Sequence, residues 1–242
     1  MAFERGVSSL ALLASIVDRP TDALAQVTAT PQRRWLLPTF LIILSIAVYL
    51  AFAAPYLQKA TLEAARLQLN TMPADQAAAA EQQMARFTSL PMITGSTAVT
   101  ALIGTLISWL VAAALLYFTT LISGEDITFG QMFSLAPWLW LPYALQGFVQ
   151  AAWVAVQRGL ILAPGLSGLV TTGNLVEDSR NLTFALLSRI DLFALWHVVL
   201  VYAGLRGLTR MGATKAVVLT VIYAALSLAV HLAPTLIARA FA

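Results

Sequence analysis

A chain of 242 residues that is 60% hydrophobic and 10% charged, with a mean hydropathy of +0.81, carries more apolar surface than one water-soluble domain can bury. Its net charge of +3 and pI of about 9.5 come from 14 Lys and Arg scattered singly or in pairs, which fits attraction to anionic lipid rather than a nucleic-acid groove. With no cysteine there is no disulfide, no thiolate metal site and no thiol nucleophile.

The first residues carry Glu4, Arg5, Asp18 and Arg19 around a modest apolar run with no small-residue cleavage site, so a cleaved signal peptide is not expected. Phe3, Val7, Leu10, Leu13 and Val17 recur at helical spacing, as in a helix lying in the membrane interface. Pro20 breaks it, Thr21 is the expected N-cap of a short helix to about Val27, and Thr30-Pro31 ends that piece. Residues 1–34 are therefore read as interfacial amphipathic helices.

The stretches 35–58, 87–124, 127–157 and 216–238 contain no Asp, Glu, Lys or Arg, and each is long enough to cross a hydrocarbon core of about 30 Å. The first span is predicted at about 36–57, with Arg33, Arg34 and Trp35 at one end and Tyr56 and Lys59 at the other. Residues 58–95, rich in Ala, Gln, Glu and Leu, predict two amphipathic helices broken at Met72-Pro73, a hairpin outside the bilayer.

The second span, about 96–122, sets Ser96, Thr100, Gly104, Ser108 and Ala112 on one small-residue face that permits close helix approach. Packing against a helix of the same chain is the commoner use of such a face, and a subunit interface is the alternative. In the third span, about 131–157, Pro137 and Pro142 each remove a backbone donor and predict a kink. Beyond it Gln146, Gln150 and Gln157 share a face with Trp153, which suits interhelical hydrogen bonds better than a solute path, since none is charged.

Residues 159–176 are uncharged but broken by Pro164, Gly165, Gly168 and Gly173, so a loop or shallow re-entrant segment is expected. The uncharged run 192–205 is too short to cross alone, and a fourth span is predicted over about 185–207, taking Arg189 and Asp191 to or below the interface. The fifth span, about 215–238, returns antiparallel and carries His231. Counted from the connection between these two spans, Asp191 and His231 share a depth and His197 lies further in, so the four residues form a candidate intramembrane polar cluster. A satisfied cluster that fixes helix register outweighs a proton-handling site.

Short loops dominate the positive-inside rule, and Arg206, Arg210 and Lys215, with Arg33 and Arg34, place the N-terminus in the cytoplasm. Five crossings then put the C-terminus outside. The fold class expected is an all-α polytopic membrane protein with five transmembrane helices, N-terminal interfacial helices and an extracytoplasmic helical hairpin.

Three stretches bear a family likeness: Pro20-Thr21-Asp22-Ala23-Leu24; Gly124 with Phe129-Gly130-Gln131-Met132-Phe133 leading to Pro137 and Pro142; and Asp191-Leu192-Phe193-Ala194-Leu195-Trp196 with Gly204-Leu205. With five spans and an amphipathic N-terminus, the chain resembles a bacterial member of the Yip1-domain family. The resemblance implies a cytoplasmic (inner) membrane location and a membrane-embedded adaptor or accessory subunit that meets other membrane proteins or itself. The Rab GTPase binding of eukaryotic relatives is not carried over, because the long cytosolic region and the Asp-Leu-Tyr-Gly-Pro element typical of them are missing.

No enzyme, cofactor or metal site is expected, since there are two histidines, no carboxylate pair inside a span and no phosphate loop. Glu125-Asp126 and Glu177-Asp178 are read as solvated turns. A transporter or channel using the kinked third span and the group of Arg189, Asp191, His197 and His231 is the alternative, weighed down by the lack of a detectable inverted repeat.

Overall fold

The computed structural model describes residues 8–29, 34–70, 72–73, 76–77, 80–81, 84, 87–209 and 211–240. Its regular elements are α1 (Ser9–Asp18), α2 (Pro20–Ala29), α3 (Leu36–Leu69), α4 (Leu90–Ile122), α5 (Phe129–Leu139), α6 (Leu141–Gln157), a 3₁₀ turn (Gly165–Leu169), α7 (Leu175–Arg180), α8 (Leu182–Leu187), α9 (Leu192–Leu208) and α10 (Ala213–Ala240). Among the described residues four stretches are long and apolar enough to cross a bilayer: Leu36–Leu67, Leu90–Ile122, Phe129–Gln157 and Ala213–Ala233. The protein is all-α and membrane-embedded. Two compact units divide the chain, one of Met1–Ile42, Ile107–Ala144 and Leu162–Ala242, the other of Ile43–Leu106 and Leu145–Ile161.

In the first unit, Ser8 caps α1 by accepting from the Ala11 N–H. Leu10 and Val17, expected on an interfacial stripe, are about 70% exposed, while Leu12 and Ile16 are buried. The helix is apolar on two faces, and only the outer one was apparent from the spacing; Phe3 and Val7 lie outside the described residues. α2 starts at Pro20 rather than after Thr21, because proline suits the first helical position, where no N–H partner is needed. It is not a free surface helix. Ala23, Leu24 and Val27 are buried, and α2 packs on both α5 and α9.

The α2–α9 crossing is close enough to require glycine: a Cβ on Gly207 would lie 2.5 Å from the Thr21 carbonyl oxygen and 3.1 Å from the Ala25 nitrogen. At the same end of this unit, Lys215 in the first turn of α10 reaches the Ser123 carbonyl at 2.6 Å and the Glu125 carboxylate at 2.9 Å. It thereby satisfies an orphan carbonyl just past the end of α4, with Gly124 at φ +76° completing the turn. Glu125 is thus an ion-pair partner rather than a solvated turn residue. Arg206 likewise binds the Met211 carbonyl at 2.9 Å, and Arg34 the Gln26 carbonyl at 2.8 Å; Arg33 and Arg210 lie outside the described residues.

The fourth span begins later than expected. Residues 185–207 are not one helix: α8 stops at Leu187, and Asp191 caps α9 by accepting from the Ala194 N–H at 2.7 Å. Asp191 ends a loop instead of sitting inside a helix, and α9 rises only about 25 Å over its 17 residues. Asp178 is likewise no solvated turn: it is buried and accepts from the Thr171 hydroxyl (2.6 Å) and from the Thr172 amide (2.8 Å) and hydroxyl (3.1 Å).

In the second unit, α3 does not end near Leu57. Strong helix formers after Gln58 carry it to Leu69, and Pro55 is absorbed within it. The Gln58 side chain donates to the Thr88 carbonyl at 2.9 Å, joining α3 to the residues just before α4. α4 starts at Leu90, earlier than the expected Ser96. Several residues of the expected 58–95 hairpin, among them 71, 74–75, 78–79, 82–83 and 85–86, lie outside the described ones.

Gly207→Ala drives a methyl into backbone, so α2 should lift from α9 at a cost of about 1–3 kcal/mol. A single cysteine replacing the buried Val27 should then become labelled by a maleimide that leaves the parent untouched. The Asp178 carboxyl is held below its ordinary value of 3.8, first by the Thr171 hydroxyl and then by the Thr172 amide. Its contribution to folding is therefore complete above that value and drains as pH falls through the lower folded one. The Thr172 amide resonance should shift toward its random-coil position in that acidic window, and Asp178→Asn should show the loosened pattern at neutral pH.

Candidate functional site

The chemistry of interest collects where the third span breaks. Thr128 and Gln131 form a capping box that starts α5: the Thr128 hydroxyl accepts from the Gln131 N–H and the Gln131 side chain accepts from the Thr128 N–H. Pro137 is carried inside α5, and Pro142, second residue of α6, has no N–H to offer. The expected kink therefore falls at Trp140. There the Tyr143 N–H turns to the Trp140 carbonyl at 3.0 Å, a tighter bond than the helical one, and the Leu139 carbonyl is left out of the ladder.

His197 of α9 fills that vacancy, its Nδ1 lying 2.7 Å from the Leu139 oxygen and its Nε2 3.0 Å from the Tyr223 hydroxyl of α10. A carbonyl can only accept, so Nδ1 carries the hydrogen, and Nε2 of the neutral ring accepts from Tyr223. The ring is 5% exposed and walled by aromatics, with Trp140 edge-on at a centroid distance of 4.7 Å and Tyr143 at 5.1 Å. One side chain thus ties the α5–α6 break, α9 and α10 together.

Depth follows from counting. Leu139 lies ten residues into α5, His197 eleven residues before the end of α9, and Tyr223 ten residues into α10. At 1.5 Å per residue all three are about 15 Å from the end they share, close to the middle of a hydrocarbon core of about 30 Å.

The other expected cluster members have separate employment. Asp191 caps α9. Arg189 is exposed. His231 is also exposed, with its Nδ1 donating to the Ser227 carbonyl of its own helix at 2.7 Å. Of the four, then, only His197 is buried in the bundle, and its partners, a backbone oxygen and a tyrosine, were not among the expected ones.

On α4, Ser96, Thr100 and Gly104 are exposed, Ser108 is half-buried and Ala112 is buried; a Cβ on Gly104 would meet nothing within 4 Å. Same-chain packing accounts for the Ala112 end of the stripe, covers Ser108 in part and leaves Ser96, Thr100 and Gly104 exposed. On α6, Gln146 and Gln150 are half-buried and Gln157 is exposed, while Gly147 lets the helix approach Ser45 of α3.

A bundle of apolar helices too long and too lipophilic for water, pinned at mid-depth by one neutral histidine, defines a polytopic integral membrane protein. The Yip1 domain model matches residues 14–233, nearly the whole chain, and the chain belongs to that family. No curated protein and no solved structure matches it. The three stretches that carried the likeness fall mainly on α2, α5 and α9, helices that pack on one another, with Gly124 before α5, Pro142 in α6 and Asp191 capping α9.

His197→Phe orphans the buried Leu139 oxygen, at about 1–3 kcal/mol, and removes a partner of the Tyr223 hydroxyl. Tyr223→Phe leaves the Leu139 bond in place. Unfolding in mixed micelles should rank the histidine variant as clearly the less stable.

Proposed function

We propose that the chain is a non-enzymatic adaptor or accessory subunit of the cytoplasmic membrane of a bacterium, joining other integral membrane proteins or copies of itself. The observation that carries this reading is the state of His197: both ring nitrogens are bonded within the chain, so this buried polar group closes the bundle rather than facing a solute. The stripe Ser96, Thr100, Gly104, uncovered by its own chain, supports it as a surface on which another helix can approach closely.

In this reading α9 is a fifth crossing, the end carrying Lys215, Arg206 and α2 faces the cytoplasm, and the C-terminus and the 58–95 hairpin lie outside. The basic groups at that end support the orientation.

Extraction in a mild detergent should yield a complex of fixed stoichiometry that Gly104→Leu dissociates without unfolding the chain. The reading is overturned if the purified chain alone moves a solute across liposomes, an activity that would return the kinked third span to the role of a transport path.

A further inference from the structure

We propose that the segment 162–170 is set into the bilayer, its leucines in contact with acyl chains at the edge where α9 begins. The inference concerns lipid and stands independently of the adaptor reading. It starts from a mismatch of lengths. α9 has 17 residues, about 25 Å, whereas the apolar span Ala213–Ala233 of its antiparallel neighbour α10 has 21, about 31 Å. The His197–Tyr223 bond lies at nearly equal distances from the helix ends that meet at the 209–212 connection, so those ends are level. α9 therefore stops at least one helical turn short of the far end of the apolar part of α10.

What fills the missing turn is the loop that precedes α9. α8 packs on α10 and on the 3₁₀ turn Gly165–Leu169. That turn is seated directly on the residues before α9: the Leu166 N–H donates to the Ile190 carbonyl at 3.2 Å, and Gly165, at φ +60°, lies so close that a Cβ would come 2.9 Å from the Leu187 and Ile190 oxygens.

The segment is built for an apolar medium. Its turn closes on itself, with the Ser167 N–H and hydroxyl donating to the Pro164 carbonyl and the Val170 N–H to the Ser167 carbonyl. Backbone groups satisfied in this way are what non-helical chain needs at membrane depth. No ionisable residue occurs from Gly159 to Val176. Leu162, Leu166 and Leu169 are 54%, 45% and 79% exposed, and water would meet all three if no lipid covered them. The polar groups of the segment itself are collected beyond, where Thr171 and Thr172 bind Asp178, and the exposed Arg189 beside its seat is long enough to snorkel to water.

Because the chain has no cysteine, single cysteines can be placed without altering the background. Spin labels at positions 162, 166 and 169, and at the exposed Asn174 as the water-side reference, are to be compared in phosphatidylcholine vesicles for collision with oxygen and with a water-soluble nickel chelate. Labels at the three leucines should favour oxygen over nickel several-fold relative to position 174. Equal access of nickel to all four overturns the proposal in favour of a solvated loop, and exclusion of both reagents overturns it in favour of a protein partner. As a second measurement, an impermeant maleimide applied to broken native membranes should label Asn174→Cys and spare Leu169→Cys, a position so exposed that its replacement removes no core contact.

Discussion

In hydrocarbon every backbone N–H and C=O must find its partner within the protein, and that requirement governs the third span. Pro142 interrupts the helix where water cannot repair the loss, and with the Tyr143 N–H turned to Trp140 the Leu139 carbonyl is left over. His197 supplies the hydrogen. The choice of histidine is economical, because its second nitrogen can hold another helix with the same ring, which a serine or asparagine at that depth would do over a shorter reach. The break and the histidine are thus two halves of one device.

Much of the architecture was legible as gaps in the charge pattern, since a span must exclude ionised groups for about 20 residues and nothing in water imposes that. The kink was legible from Pro137 and Pro142 for an equally local reason. The start of α9 was not, because the length rule demanded more residues and Asp191 read as a charge carried into a span rather than as the cap that ends a loop. A capping box at Thr128 and Gln131 was written in the sequence and passed over in an apolar context. The partners of His197 left no signal: a backbone oxygen has no side-chain identity, and Tyr223 stands on an apolar helix at no fixed interval from residue 197. Asp178 was misjudged because its partners lie six and seven residues back, outside any helical neighbourhood.

The family likeness has a physical content once the helices are in place. The stretches on α2, α5 and α9 that suggested it are mostly apolar and carry no catalytic group; what they share is mutual packing. A signature of this kind specifies how three helices fit, with Gly207 admitting α2 to within contact of α9. It is a statement about architecture, and it leaves chemistry to whatever meets the exposed surfaces.

The Gly207 crossing also has a mechanical side. A helix transmits axial displacement with little loss, and Gly207 and His197 are ten residues apart on α9, about 15 Å of stiff rod. A pull on α2 is therefore delivered to the rod that holds the span break shut, so the N-terminal lever and the buried latch belong to one linkage.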